Sequence, residues 1–299
     1  MIVGQSPQGY GFEQSRWSLK HLLCICTHLK IKSKSCLWNW LKKWKISYKR
    51  GRLYVHSPDA DYQAKLAYIK TSLETADIDN SVFICIDQLT IYAHPSVSCA
   101  YAKQQPLAKQ GWQHNKTMRI MGGLNILTGK VDYFIRNKIS VATIYCFYQE
   151  LVNTYPHKQI YIILDNWPMH YHPDILAALQ AQDCPFKLHV PASWNHLKPA
   201  KKYNNKNLPI KLLPLPTYAS WLNVIEKLWR KLKQELLHMH PFKDQFQQLK
   251  QQVKMWLDKY NSPQNHDELR SYVGLMKDDN FLGNICNEIY SKNQRTFIL

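Results

Sequence analysis

Apolar and polar positions alternate in two different ways along the larger, C-terminal part of the chain. Short runs of β-branched and aromatic residues predict strands, and segments with apolar residues three and four apart predict helices. The predicted strands span 81–86, 90–93, 118–127, 131–135, 159–164 and 186–190, and the predicted helices span 140–153, 173–180, 220–238 and 242–260. Strands interleaved with helices in this order predict an α/β domain with a mixed sheet flanked by helices.

The first 55 residues follow a different pattern, with two short helical segments separated by a polar stretch at 30–34. One helix is predicted over 18–29, and the next places Leu37, Trp40, Leu41 and Trp44 on one face. The other face of this second helix and the tail after it are polar and basic, giving candidate DNA contacts at Lys34, Ser35, Trp38, Asn39, Lys42, Lys49, Arg50 and Arg52. A helix-turn-helix fits this small all-α unit, and a plain helical hairpin with a solvated basic face fits it equally well.

These patterns divide the chain into four regions. Residues 1–55 form the candidate DNA-binding region, and a helix predicted over 62–76, capped by Ser57 or Asp59, makes 56–78 a linker. The α/β domain is expected at 79–240, with a loop-like insertion at 191–213, and a helical region at 241–299.

The charge balance narrows the class of partner. The 299 residues include 39 Lys and Arg against 21 Asp and Glu, a formal net charge of +18. Such an excess favours a polyanion, because each neutralised phosphate releases condensed counterions, although a basic protein without catalytic function would look the same. The eight cysteines lack zinc-ligand spacing, and no apolar run is long enough for a membrane span. We therefore expect a cytoplasmic protein that has no membrane partner.

Two aspartates follow apolar strands directly. Asp87 comes after VFICI and Asp165 after IYIIL. A carboxylate just past a buried strand lies at the C-terminal edge of the sheet, where open α/β folds place their ligand sites. A single aspartate at such a place is as often a turn residue or a helix cap, but two of them favour a site.

A third carboxylate, Glu226, lies on the helix predicted over 220–238, at the edge of its apolar stripe. Arg230 follows one turn later and Lys233 is near on the helical wheel, so Glu226 can face the sheet while basic neighbours face a polyanion. The alternative is a surface Glu–Arg pair, which is common and weak. Three converging carboxylates could hold two Mg²⁺ ions, which prefer oxygen ligands and promote phosphodiester chemistry.

At these residues the sequence resembles the DDE transposases of bacterial insertion sequences related to the mariner superfamily. The matching stretches are FICIDQ at 83–88, IYIILDNWPMHYHPDIL at 160–176 and LPTYASWLNVIEKLWRKLK at 215–233, and 15–59 resembles the family's second helix-turn-helix and linker. The resemblance implies a ribonuclease-H-like domain with Asp87, Asp165 and Glu226 as the catalytic, metal-binding triad. It further implies two Mg²⁺ ions, with Mn²⁺ as a substitute, and a homodimer on double-stranded DNA. Such enzymes cut at terminal inverted repeats and join the freed ends to target DNA, usually at TA.

Three departures qualify the resemblance. Many relatives have Asp-Glu at the first motif, where this chain has Asp87 followed by Gln88. Relatives usually carry another helix-turn-helix before the region where this chain begins, so we expect a shortened element or one product of a split reading frame. The segment 191–213 is longer than in eukaryotic mariner relatives and either tracks DNA, in part through Lys201 and Lys202, or is a solvated loop.

Other basic residues are candidates for the substrate groove, and two rival functions remain open. Trp112, His114, Lys116 and Arg119 would line that groove, with a structural role as the alternative for Trp112. A DNA-binding remnant or regulator would not need three converging acids. A junction resolvase or ribonuclease H would not need a base-reading N-terminal unit.

Overall fold

The computed structural model describes residues 5–31, 33–48, 57–99, 101–112, 114–181, 184–187 and 190–275. The chain divides into two compact units, with the boundary between Val55 and His56. None of the helices within the described ranges is long and apolar enough to cross a membrane.

The smaller unit is built on two short helices, α1 (Leu19–Ile25) and α2 (Lys34–Lys43). Each begins at a serine whose hydroxyl accepts a backbone N–H of the first turn. A small core forms where Leu22 meets Leu37 and Leu41. The predicted apolar stripe of the second helix is wrong in its outer part, because Trp40 and Trp44 remain 41% and 49% exposed. Their rings pack on each other instead, in an edge-to-face pair.

The larger unit opens with α3 (Tyr62–Thr75), close to the predicted linker helix. The helix buries Leu66, Ile69 and Leu73. The predicted caps are wrong, because the residue at the N-cap is Asp61. Asp59 instead accepts hydrogen bonds from Asp61 N and from more distant groups.

Within the described residues, five strands form one mixed sheet in the order β3-β2-β1-β4-β5. They are β1 (Ser81–Tyr92), β2 (Thr117–Asn125), β3 (Val131–Arg136), β4 (Gln159–Leu164) and β5 (Ile210–Pro214). Neighbours are antiparallel from β3 to β1 and parallel from β1 to β5. The predicted mixed sheet is therefore confirmed.

Helices cover both faces of this sheet. The remaining ones are α4 (Val141–Thr154), α5 (Pro173–Ala178), α6 (Ile225–Leu232), α7 (Phe246–Asn261) and α8 (His266–Val273). Alternate residues of β1 enter opposite cores: Phe83 and Cys85 face α3, α6, α7 and α8, whereas Ile84 and Ile86 face α4 and α5. This period of two determines which side chains of β1 can reach α6.

Several predicted elements differ from those in the structure; the helix predicted over 242–260, for example, begins only at Phe246. The strands predicted at 81–86 and 90–93 are one strand, β1, because pairing with β2 continues past Asp87. No strand includes the described residues of 186–190. The strand next to β4 is instead β5, which begins within the predicted insertion 191–213 and ends at Pro214. The helix predicted over 220–238 is interrupted: α6 starts only at Ile225, since Asn223 is extended, and a π-helical turn follows it.

Candidate active site

Asp87 and Asp165 lie at the same level of two neighbouring strands. The parallel register pairs Cys85 of β1 with Ile163 of β4, and each aspartate lies two residues further along the chain, Asp87 within β1 and Asp165 directly after β4. Neighbouring strands are about 4.8 Å apart, so the two carboxylates start from adjacent backbone positions. The expected strand exit is right for Asp165 and wrong for Asp87. The edge exists because β4 ends there, while β1 continues and pairs Asp87 with Gly122 of β2.

Glu226 lies in the first turn of α6, and two hydrogen bonds attach its segment to β1. Asn223, three residues earlier, is 2% exposed and donates from Nδ2 to the carbonyl oxygen of Ile86 at 2.9 Å. Trp229, three residues later, donates from Nε1 to Oδ2 of Asp87, also at 2.9 Å. The segment that carries Glu226 is thus attached to β1 on both sides of Glu226, at the carbonyl of Ile86 and at the carboxylate of Asp87.

The three carboxylates act on one another electrostatically. Burial, then the charge of Glu226 and then that of Asp165 raise the pKa of Asp87 to about 7. Burial raises the pKa of Glu226, Asp165 adds to the rise, and Lys233 and Arg230 oppose it. Burial also raises the pKa of Asp165. The structure therefore brings the three predicted acids into one negative field.

The surroundings of Asp165 combine an open side with a buried one. Its side chain is 50% exposed, and its Oδ1 accepts the backbone N–H of Trp167 at 3.1 Å. Nε2 of buried His170 lies 3.9 Å from the same oxygen. Burial lowers the pKa of His170 to about 3, so this contact joins a neutral imidazole to the carboxylate. Nδ1 of His170 is 3.2 Å from the hydroxyl of Tyr148.

The donor set suits a hard divalent cation. Burial raises the pKa of all three carboxylates, and neighbouring acids add to the rise for Asp87 and Glu226, so a positive charge placed between them is favoured. In the part of the chain that the structure describes, no three His, Cys, Asp or Glu side chains are close enough to hold a metal ion. The chemistry of the three side chains still suits such an ion, because carboxylate oxygens are the ligands that Mg²⁺ prefers.

The predicted DNA-contacting residues that the structure describes are all exposed. Arg230 and Lys233 act electrostatically on Glu226 and so border the site. The others lie in three places. Lys116 and Arg119 are just before or within β2, and Lys201 and Lys202 precede β5. The helix α2 carries the remaining five, Lys34, Ser35, Trp38, Asn39 and Lys42. Lys49, Arg50 and Arg52 lie outside the described residues. Trp112 is fully exposed, which excludes a role in the core.

Four residues at the site were missed by sequence reasoning. Asn223, Trp229, Tyr148 and His170 make contacts that depend on how distant segments pack. The sequence does contain one indication of the role of Trp229, which lies one turn beyond Glu226 on the apolar stripe of the same helix. A buried tryptophan needs a partner for its N–H, and a nearby carboxylate is an apt one.

A mixed sheet with carboxylates on β1, after β4 and on a later helix defines a ribonuclease-H-like domain. The DDE superfamily endonuclease family matches residues 82–250, more than half of the chain. The chain belongs to this family.

Two kinds of relatives agree with that assignment. The insertion element IS630 39 kDa protein of Shigella sonnei is 25% identical over 259 residues, 83% of this chain and 66% of that protein. The chain thus spans just under two thirds of this relative. The mariner Mos1 paired-end complex with Mg matches with a TM-score of 0.58 at 13% identity, over 95% of this chain and 77% of that one. A pre-cleavage Mos1 transpososome matches with a TM-score of 0.59 at 14% identity and the same coverage, so the fold is shared.

Proposed function

We propose that the chain is a transposase that cuts DNA at terminal inverted repeats and joins the freed ends to target DNA, with TA as the target. The observation that carries the proposal is the convergence of Asp87, Asp165 and Glu226 at one edge of the sheet in a chain of the DDE endonuclease family. The net charge of +18 suits a DNA substrate. The related protein belongs to an insertion element, and the structural neighbours are transposase complexes with transposon ends.

The proposed cofactor is Mg²⁺, with Mn²⁺ as a substitute and two ions in each site. Asp87, Asp165 and Glu226 would hold the ions through carboxylate oxygens. When bound, such a pair activates the attacking oxygen and stabilises the leaving oxygen of a phosphodiester. A neighbour in complex with Mg and another with Mn support this choice of ions.

The chain's own residues would position DNA around this centre. Arg230 on α6 and Lys233 just past its end are both exposed and lie near Glu226, where they can bind the phosphates that flank the cut. The side chain of Asp165 is half exposed, so a phosphate of the DNA backbone could reach it from solvent. Two copies of the chain would hold two transposon ends, and an enzyme that acts on bacterial chromosomal DNA would work in the cytoplasm, at the nucleoid.

The decisive experiment measures metal-dependent cutting and joining by the full chain. The substrate is a duplex carrying the DNA that flanks the gene, incubated with Mg²⁺, Mn²⁺ or a chelator. Asp87→Ala, Asp165→Ala and Glu226→Ala should each reduce cutting by about 1,000-fold or more, since metal catalysis contributes several kcal/mol and each 1.36 kcal/mol is tenfold in rate. Glu74→Ala, an exposed carboxylate on α3, should cut normally.

Other outcomes would contradict the proposal. If the three alanine variants cut as well as the parent, the site is wrong. If the chain cuts DNA without joining the ends, it is a nuclease. If it binds DNA without metal-dependent cutting, it is a DNA-binding remnant.

We further propose that the smaller unit reads the transposon end, with α2 in the major groove. Replacing exposed Lys34 and Lys42 by Ala should weaken binding to all duplexes and reduce the slope of log K against log salt by about 1 for each phosphate that is no longer neutralised. Asn39→Ala should instead reduce the preference for end DNA, by about 1–3 kcal/mol for the missing hydrogen bonds to a base. Lys254→Ala on α7 removes the same charge elsewhere and serves as the control for binding assays. Variants of α2 that bind end DNA like the parent would favour a plain helical hairpin.

A further inference from the structure

The indole of Trp229 has two close partners, one polar and one steric. Its Nε1 donates to Oδ2 of Asp87 at 2.9 Å, and the side chain is only 1% exposed. Its benzo edge lies against Gly122, where a Cβ would come within 2.5 Å of Cη2 and 2.7 Å of Cζ2. Gly122 is also the residue that β2 pairs with Asp87. A glycine inside a strand marks a close approach by another group, and here that group is Trp229.

This arrangement fixes the orientation of one acid of the site. A buried indole has little freedom to move, so its N–H defines where Oδ2 must lie, and the backbone N–H of Gln88 also reaches the Asp87 carboxylate. Hydrogen bonds from such outer groups orient a ligating carboxylate before the cation arrives, and their loss costs metal affinity. The alternative is that Asp87 only accepts the N–H of a tryptophan in the core and that this hydrogen bond has no effect on metal binding.

We infer that Trp229, seated in the space left by Gly122, is a positioning residue that holds Asp87 ready for the metal ion. The inference rests on the proposed function and adds a determinant of metal affinity that lies outside the three acids. It also explains why β2 has no side chain opposite Asp87: any Cβ at position 122 would push the indole away from the carboxylate.

The first test compares two tryptophan-to-phenylalanine variants of the full chain. Trp229→Phe keeps an aromatic ring and removes the N–H donated to Asp87. Trp256→Phe is the matched control, because Trp256 on α7 donates a hydrogen bond from Nε1 to Oε2 of Glu235 at 2.8 Å and has no assigned role at the site. Mn²⁺ binding is measured by calorimetry, and the Mg²⁺ concentration for half-maximal cutting by a titration on end DNA.

Trp229→Phe should weaken Mn²⁺ binding and raise the half-saturating Mg²⁺ concentration by about 10- to 100-fold, the usual cost of losing such an outer contact. Cutting at saturating metal should recover in large part, and Trp256→Phe should bind Mn²⁺ like the parent. A merely structural role would lower the melting temperature of Trp229→Phe and leave its metal affinity unchanged. That result would overturn the inference.

A second pair of variants keeps the N–H and moves the ring. Gly122→Ala should reproduce the loss of Mn²⁺ affinity, whereas Gly123→Ala is the control for damage to β2, since its Cβ meets Ile84 and Phe147 in the opposite core. Adding Gly122→Ala to Trp229→Phe should cost less affinity than adding it to the parent, because the smaller ring leaves room. If Trp229→Phe does not fold, the comparison of Gly122→Ala with Gly123→Ala tests whether Trp229 positions Asp87.

The two proposals fail in different ways. If the parent neither binds Mn²⁺ nor cuts DNA, the proposed function falls and this inference falls with it. If the parent does both, Asp87→Ala does neither, and Trp229→Phe and Gly122→Ala behave like their controls, only the positioning role is wrong.

Discussion

Asp87→Asn should eliminate cutting and, at the same time, stabilise the metal-free protein. Asparagine keeps the shape of the side chain and can still accept the N–H of Trp229, but it offers no charged ligand. We expect a loss of about 1,000-fold or more in cutting, as for the alanine variants. The gain in stability has a separate cause, the burial of Asp87 beside Glu226 and Asp165.

The sign of the stability effect follows from the pKa of Asp87. This pKa is about 7 in the folded protein against 3.8 for an unperturbed aspartate, so the folded state holds the proton more tightly than the unfolded chain. Stability from this group is therefore present below pH 4 and is lost as the pH rises from 4 to 7. Above that range the loss reaches at most about 4 kcal/mol, at 1.36 kcal/mol for each pKa unit.

Urea unfolding with a chelator at pH 5 and pH 8 measures this effect. Relative to the parent, Asp87→Asn should gain about 2 kcal/mol or less at pH 5 and up to about 4 kcal/mol at pH 8. Asp79→Asn, which removes one exposed carboxylate just before β1, should show no such rise. Equal gains at both pH values would mean that burial and the other two acids do not raise the pKa of Asp87.

The parts of the fold that the sequence predicts are those where local pattern and tertiary packing agree. β4 is an unbroken apolar run that ends at Asp165, so both the strand and its exit could be predicted from residues 159–165. The existence of a helix carrying Glu226 was equally clear, because its apolar positions recur every three or four residues. In each of these elements the apolar residues of the sequence pattern are the ones that the fold buries.

The parts that could not be predicted depend on distant partners. β5 reads Ile-Lys-Leu-Leu-Pro beside a basic, Asn-rich stretch, and only the open edge of β4 makes it a strand. Asp87 lies inside β1 rather than after it, because β2 supplies pairing that the local sequence does not announce. The bonds from Asn223 and Trp229 likewise require α6 to lie against β1, which no spacing of residues reveals.

Lys65→Met should destabilise the larger unit more than any exposed charge change. Lys65 and Asp59 form an ion pair at 2.7 Å with side chains only 3% and 7% exposed. The same carboxylate oxygen of Asp59 accepts the backbone N–H of Thr217 at 2.7 Å. Removing one partner leaves the other charge buried without its counter-ion, which costs about 3–5 kcal/mol. The loss should reach the active site too, because Thr217 lies in the loop that leads to Glu226.

Urea unfolding at several pH values separates this pair from ordinary surface charge. Burial alone would raise the pKa of Asp59, but hydrogen bonds from Lys65, Thr217 and Asp61, with the charge of Lys65, lower it to about 2. The stability it contributes is thus present above pH 4 and is lost as the pH falls towards 2. The gap between parent and Lys65→Met should narrow over the same range. Lys70→Met is the matched control on α3, since its pair with Glu74 is exposed and should contribute under about 1 kcal/mol. If both variants unfold alike at pH 7, the buried pair does not hold α3 to the loop around Thr217.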